Sequence, residues 1–230
     1  MSIKFDLHMH TIYSDGASGH IDMAEIAEAR GMEAIAFTDH GPELVIGIAR
    51  GKIPQMLQDI EIARQDANIQ VLAGLEANVV DGWGGIDIED EVINKLDFVM
   101  MAIHDLGTTD RIEIAQEYLA RATKAIEIHK VDVFSHPFYF FGDLMPELSH
   151  EDVREFVKLA AARNVAMEIN VKYKVPGKDF LKLCFKEGVK LSIGSDAHKP
   201  AEVGKIDWAL SALRYVGAKR EDLILDSVLK

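Results

Sequence analysis

Two rhythms of apolar and polar positions alternate along the chain. At the start, Ile3, Phe5 and Leu7 interleave with Lys4, Asp6 and His8, the two-residue period of a strand. Seven β-branched or apolar runs recur, near residues 3–8, 33–38, 69–75, 97–103, 131–135, 165–170 and 189–194. Between and beyond them the spacing lengthens to that of amphipathic helices, near 21–30, 54–67, 90–95, 111–128, 149–163, 177–187 and 206–216. Gly31, Gly188 and Gly217 stand where helices commonly end. Ser149 with Asp152, and Asp22 with Glu25, have the spacing of helix-start capping pairs. Such steady alternation predicts a parallel sheet or barrel. The glycine-rich piece Asp81-Gly82-Trp83-Gly84-Gly85 predicts a hairpin-like loop over one face, and no linker divides residues 1–230 into two domains.

In parallel α/β barrels, chemistry sits at the C-terminal ends of the strands. The residues that end each predicted strand are therefore the informative ones. The first ends in His8 and His10, the second in Asp39-His40, the third in Glu76, and the fourth in His104-Asp105. The fifth ends in His136-Pro137, the sixth in Asn170, and the seventh in Asp196-Ala197-His198. Six of the nine histidines thus fall at strand ends. A lone histidine there is more often a satisfied core or capping residue than a ligand. Six converging on one barrel mouth, with Glu76 and Asp196, predict a metal cluster instead.

Composition changes this picture little but excludes several classes. A chain of 230 residues can bury a core without disulfides and is expected to form one domain. The net charge of −13 argues against nucleic acid or an anionic membrane as partner. It does not exclude anionic substrates, because bound divalent cations invert the local potential. No run approaches the roughly 20 apolar residues of a membrane span, and the first residues lack the pattern of a signal peptide. With a single cysteine, Cys184, the expected compartment is the reducing cytoplasm. Cys184 falls in a helical pattern with Phe180, Leu181 and Leu183 and reads as core.

Taken in order, the motifs resemble those of the PHP (polymerase and histidinol phosphatase) family over essentially the whole chain. Asp6-Leu7-His8-Met9-His10-Thr11 with Ser14-Asp15-Gly16 is similar to its first motif, and Thr38-Asp39-His40 to its second. Glu76, His104 and Ser135-His136-Pro137 resemble the middle ones, and Gly194-Ser195-Asp196-Ala197-His198 the last. The resemblance implies a distorted seven-stranded (β/α)7 barrel, TIM-barrel-like, with two to three divalent ions (Zn, Mn or Fe) and phosphoesterase chemistry. The motif spacing resembles that of small stand-alone hydrolases.

Carried over by motif, one ion would be held by His8, His10, Glu76 and Asp196. A second would share Glu76 and take His104 and His136. The third would take His40 and His198, with Asp15 as candidate further ligand and His20 as its competitor, although His20 also reads as a surface residue at a helix start. Two ions about 3.5–4 Å apart lower the pKa of a bridging water and align it with phosphorus. Histidines with carboxylates suit such ions, and the absence of cysteine ligands argues against a structural thiolate site. The expected reaction is hydrolysis of a small phosphomonoester by a metal-bridging hydroxide, with Glu76, Asp196 and His198 as catalytic candidates. His198 or Asp196 would protonate the leaving group if the third ion does not stabilise it.

Asp39 and Asp105 are candidates to orient imidazoles or to cap the following loops. Asn170, Lys172 and Lys199 are candidate pocket or phosphate contacts, with solvated loop positions as the plainer reading. The segment from Gly41 to Ile53 reads as a candidate lid. Tyr139, Phe140 and Phe141 read as an aromatic wall for a base or sugar, or simply as packing over the rim. His129 and His150 carry no expected chemistry. The rival readings are a PHP-type nuclease or phosphodiesterase, a non-catalytic metal-binding module, and a metal-dependent amidohydrolase.

Overall fold

The computed structural model describes residues 3–229. Seven parallel strands lie side by side in sequence order: β1 (Phe5–Asp6), β2 (Ala34–Phe37), β3 (Gln70–Asn78), β4 (Phe98–Ala102), β5 (Val133–Phe134), β6 (Ala166–Asn170) and β7 (Leu191–Gly194). Parallel neighbours need long crossovers, and helices supply them. These are α1 (His20–Ala29), α2 (Ile53–Asp66), α3 (Asp90–Ile93), α4 (Arg111–Ile128), α5 (His150–Arg163) and α6 (Lys178–Lys186), with α7 (Asp207–Val216) and α8 (Leu225–Val228) after the last strand. The gap between β7 and β1 is bridged just beyond the strands. Leu7 N donates to Ile193 O, Asp196 N to His8 O and His10 N to Ala197 O, each at 2.9 Å. The result is the expected distorted (β/α)7 barrel, and its last closing contacts are made by the residues that carry the site.

The strands are buried on both faces, as a sheet covered by helices requires. β3 is the longest and serves two neighbours in turn, pairing with β2 through Gln70–Ala73 and with β4 through Gly74–Asn78. At the changeover a Cβ on Gly74 would stand 2.9 Å from the carbonyl oxygens of both Phe37 and Phe98. Glycine therefore lets the three strands converge, and Glu76 follows two residues later in β3. Below the mouth, Phe138 packs its ring 5.2 Å from those of Phe156 and Phe180 and 5.5 Å from Tyr118. This anchors the loop that follows β5. Truncating a buried ring of this kind costs about 3–5 kcal/mol.

Helix-end signals hold with one exception. Ser149 Oγ accepts from Asp152 N at the start of α5, and Gly31, Gly188 and Gly217 turn left-handed just past α1, α6 and α7. Asp22 does not cap α1, which starts at His20 with Gly19 at its cap. Asp22 lies inside the first turn, where its charge complements the helix dipole. The Asp81–Gly85 piece is hairpin-like as expected: Val79 bridges Ile86 antiparallel, and Asp81 Oδ1 accepts from Trp83 N and Gly85 N. Cys184 is buried in α6. Among the described residues, no helix is long and apolar enough to cross a membrane.

Candidate metal centre

Glu76, fully buried near the end of β3, stands at the centre of the mouth. Its carboxylate lies within 3.8 Å of a ring nitrogen of five histidines. His40 Nδ1 is 2.8 Å away, His136 Nε2 3.1 Å, His8 Nε2 3.5 Å, His104 Nε2 3.7 Å and His10 Nε2 3.8 Å. These side chains come from the ends of β1, β2, β4 and β5. Ser135 Oγ also donates to Glu76 Oε1 at 2.5 Å.

Several rings are fixed by the nitrogen that faces away from this centre. His8 Nδ1 meets Glu168 Oε1 at 2.7 Å, His104 Nδ1 meets Asn78 Oδ1 at 2.6 Å, and His198 Nδ1 meets the carbonyl of Asp196 at 2.9 Å. An acceptor at Nδ1 fixes the tautomer and leaves the Nε2 lone pair for a ligand. Asn78 is itself held, donating through its backbone and side-chain nitrogens to Asp87.

A second cluster lies on the rim. Asp15 Oδ1 is 3.2 Å from His198 Nε2 and 3.8 Å from His40 Nε2, and the His10 ring centroid is 4.2 Å from those of His40 and His198. Asp39 builds the loop that delivers Asp15. It accepts from Thr11 N and Oγ1 at 2.7 Å and from Ser14 Oγ at 2.6 Å. It therefore orients the first loop rather than a cluster imidazole, while Asp105 is exposed and orients none. His20 is not a surface residue: it is buried beside Tyr13 and Phe37, 3.8 Å from Asp39. Asp15, not His20, joins the cluster.

Comparison with known proteins agrees with this geometry. The profile of the PHP domain matches residues 6–172. A probable phosphatase of Caldicellulosiruptor bescii is 31% identical over 90% of this chain and 85% of its own length. The chain belongs to the PHP family. A probable phosphatase of Acetivibrio thermocellus is 30% identical, covering 100% of this chain and 94% of its own. In fold the chain is similar to the histidinol phosphate phosphatase of Lactococcus lactis, solved with zinc, L-histidinol and phosphate. The TM-score is 0.70 at 18% identity, over 94% of this chain and 95% of that one. The PHP match stops before Asp196 and His198, and the fold returns both to the mouth through β7.

Three groups of this PHP chain place their donor atoms within 4.8 Å of one another: His8, His10 and Glu76; His40, Glu76 and His104; and His10, Asp15, His40 and His198. His136 and Asp196 border them. Asp196 Oδ1 lies 3.5 Å from His10 Nε2 and 3.3 Å from His198 Nδ1. The donors fit divalent ions. Nδ1 of His10, His40 and His136 and Oε2 of Glu76 are buried without a hydrogen-bond partner, and the short His40–Glu76 approach lacks hydrogen-bond angles. Each such orphan costs about 1–3 kcal/mol in a buried site, and at His40 Nδ1 and Glu76 Oε2, 2.8 Å apart, facing lone pairs of imidazole and carboxylate are what a divalent cation satisfies.

Burial opposes every charge here, and the neighbours decide the outcome. Burial pushes Glu76 up, but the His8 charge and the His136 contact hold it well below the carboxylate range. Asp196 follows suit through His8 and His10. Asp15 falls to about 2 despite its partial burial because His198 donates to it. Burial, reinforced by neighbouring imidazoles, takes His10 well below its usual value and His104 to about 3. Burial opposes charge on His8 and His136 as well, yet Glu168 lifts His8 and Glu76 lifts His136 above the ordinary value, so metal binding there would displace a proton.

Two participants lie outside the expected set of strand-end residues. Glu168, mid-β6 and fully buried, braces His8 and also accepts from His136 N at 2.6 Å. Its signal was a lone acid inside the apolar run Val165-Ala166-Met167-Glu168-Ile169, since a buried charge is rarely accidental. Asn78, two residues past Glu76, is the other. Asn170 does line the site, donating to Glu168 and Asp196 at 3.1 Å. Lys172 reaches it as well, with Nζ 3.1 Å from Asp196 Oδ1. Lys199 is exposed, and its backbone N–H is held by Glu202. The Gly41–Ile53 segment borders the mouth, tied down by Gly41 N to Glu76 O and Ile48 N to His40 O. His129 binds the carbonyl of Gly84, and His150 is exposed at the start of α5.

Proposed function

We propose that the chain hydrolyses small phosphomonoesters in the Glu76 cluster, with two to three divalent ions drawn from Zn, Mn and Fe. It is a PHP-type hydrolase of phosphoric esters; the substrate class, the ion count and the residue roles are the proposal. The observation that carries it is one buried carboxylate ringed by nitrogens of five histidines. Bound divalent ions supply a water of lowered pKa and neutralise phosphate oxygens. Glu76 would be the ligand shared by two of the ions. His8, His10, His40, His104, His136, Asp196, Asp15 and His198 complete the donor set. Glu168 and Asn78 hold the rings of His8 and His104 so that their Nε2 atoms face inward.

Lys172, partly exposed and paired with Asp196, presents an ammonium to a phosphate oxygen entering the mouth. Where no third ion is held, His198, with Asp15 and Asp196 3.2 and 3.3 Å from its ring nitrogens, would instead pass a proton to the departing alkoxide. The nuclease reading has less support. The larger groove beside His104, about 490 Å³, is edged by Glu43 and Asp105, and its lining residues include no lysine or arginine to track a phosphate backbone. A single buried thiol suits a cytoplasmic enzyme.

The test is phosphate release by metal-stripped protein reloaded with Mn, Fe or Zn ions. The panel holds small monoesters, nucleotides, cyclic and linear diesters and single-stranded DNA, with a His8→Ala/His10→Ala double variant as control. Metal-dependent turnover of monoesters that is absent from the variant supports the reading. Preference for DNA or diesters, or silence from folded, metal-loaded protein, contradicts it.

A further inference from the structure

A second cavity, of about 190 Å³, opens beside the metal cluster and is lined mostly by apolar and aromatic side chains. Its lining residues are Ile103, His104, His136, Tyr139, Phe140, Phe141 and Tyr173. Two of these, His104 and His136, are also neighbours of Glu76, so whatever fills the cavity lies one side chain away from a phosphorus atom held there. The other five are apolar or aromatic, and none carries a charge. A charged or many-hydroxylated group placed there would leave water without recovering its hydrogen bonds.

The aromatic wall is built in advance. The Tyr139 and Tyr173 rings stack with centroids 4.0 Å apart and planes 19° from parallel, and Tyr173 meets His136 edge-on at 5.6 Å. Both loops are fastened from behind. Tyr173 N donates to Asn170 Oδ1 at 3.0 Å, and Arg111 holds the carbonyls of Phe140 and Asp143. Phe141 sits at the lip, 88% exposed and with φ of 48°, a conformation that a bulky residue rarely adopts. Nothing in the core requires a phenyl ring at that place, whereas a planar ligand in the cavity would cover it. The volume is that of one ring: an apolar cavity of about 150 Å³ accommodates benzene. The larger groove across His104 carries Glu43 and Asp105 instead and offers no such surface.

From this juxtaposition we infer that the alcohol half of the substrate carries a single planar unsaturated ring, seated against the Tyr139–Tyr173 stack and Phe141 while the phosphate occupies the Glu76 cluster. The inference rests on the phosphoester reading for the phosphate half only. The cavity itself assigns the ring.

Benzylphosphonate and butylphosphonate, which resist hydrolysis, separate the two claims when titrated calorimetrically into the metal-loaded protein. Benzylphosphonate should bind at least about tenfold tighter, and this ratio should fall to within about threefold in Phe141→Ala and in Tyr139→Leu. Phe141 is exposed, so loss of folding does not confound the first variant. Equal affinities, no binding of either probe, or a ratio that survives both variants would overturn the inference. Benzyl and butyl phosphate, whose leaving groups are similar, are then compared for turnover. An intact benzyl preference in binding with no hydrolysis of either ester would sustain the ring site and overturn the phosphoesterase reading. Equal binding with equal hydrolysis would do the reverse.

Discussion

On the side of the mouth that follows β1 to β4, the described residues other than glycine keep ordinary backbone angles. On the side that follows β5 to β7, His136, Phe138, Phe141, Lys174 and Asp196 all have positive φ. The first side delivers His8, His10, His40, Glu76 and His104 by letting strands run on into the mouth, so the direction of each side chain follows from strand geometry. The second side aims His136 and Asp196 by turning the chain left-handed, at a cost of order 1–3 kcal/mol per residue. Specific contacts hold those turns: His136 N donates to Glu168 at 2.6 Å and Asp196 N to His8 O at 2.9 Å. One half of the site is therefore a consequence of the barrel. The other is imposed on it, and Glu168 is the residue that joins them.

The sharpest way to break the first half is at its centre. Glu76→Gln removes a ligand charge shared by two of the donor groups, and turnover should fall by at least about 10²–10³-fold, with loss of bound metal and little change in far-UV circular dichroism. Retention of full activity with full metal content would remove Glu76 from its bridging role. The second half should break at Gly194, where a Cβ would overlap Glu168 Oε1 and the Cβ of His8. Gly194→Ala should destabilise the protein by about 1–3 kcal/mol in denaturant titration and displace His8. Gly51→Ala, where a Cβ meets nothing within 4 Å, is the matched control and should stay near the wild type.

The joint between the halves is tested by Glu168→Gln, which keeps the shape but removes the charge behind His8. Metal affinity, read by competition with a chelating dye, should weaken about 10–100-fold. A change below about threefold would show that His8 orients itself. The smallest effect is expected at the edge of the second half. Lys172→Met should raise KM for a phosphomonoester about tenfold or more, in line with about 1.5–3 kcal/mol for a hydrogen bond to a charged group. Metal content should be retained, because Lys172 touches Asp196 from the solvent side of the cluster.

Much of this was legible in the sequence, and the reason is physical. Strand and helix periods differ, so the seven strands and the seven helices up to α7 stand out. The barrel places its chemistry at strand ends, so His8, His10, His40, Glu76, His104, His136, Asp196 and His198 could be named from position. The short α8 carried too few residues for a period. Glu168 was passed over because it lies inside a strand, and the buried place of His20 was missed because a helix start usually faces solvent. Asp39 was adjacent to His40 in sequence, yet its carboxylate turns to Thr11 and Ser14. Neighbours along a strand point to opposite faces, so adjacency is poor evidence of contact.

The account stands on Glu76 as the shared ligand of a multi-metal site. Anomalous diffraction from crystals of the manganese-loaded protein, recorded on both sides of the metal edge, addresses it directly. At least two peaks within bonding distance of the Glu76 carboxylate, flanked by the histidine Nε2 atoms of β1 and β4, are predicted. A single peak that bypasses Glu76, or metal bound only outside the mouth, would contradict it.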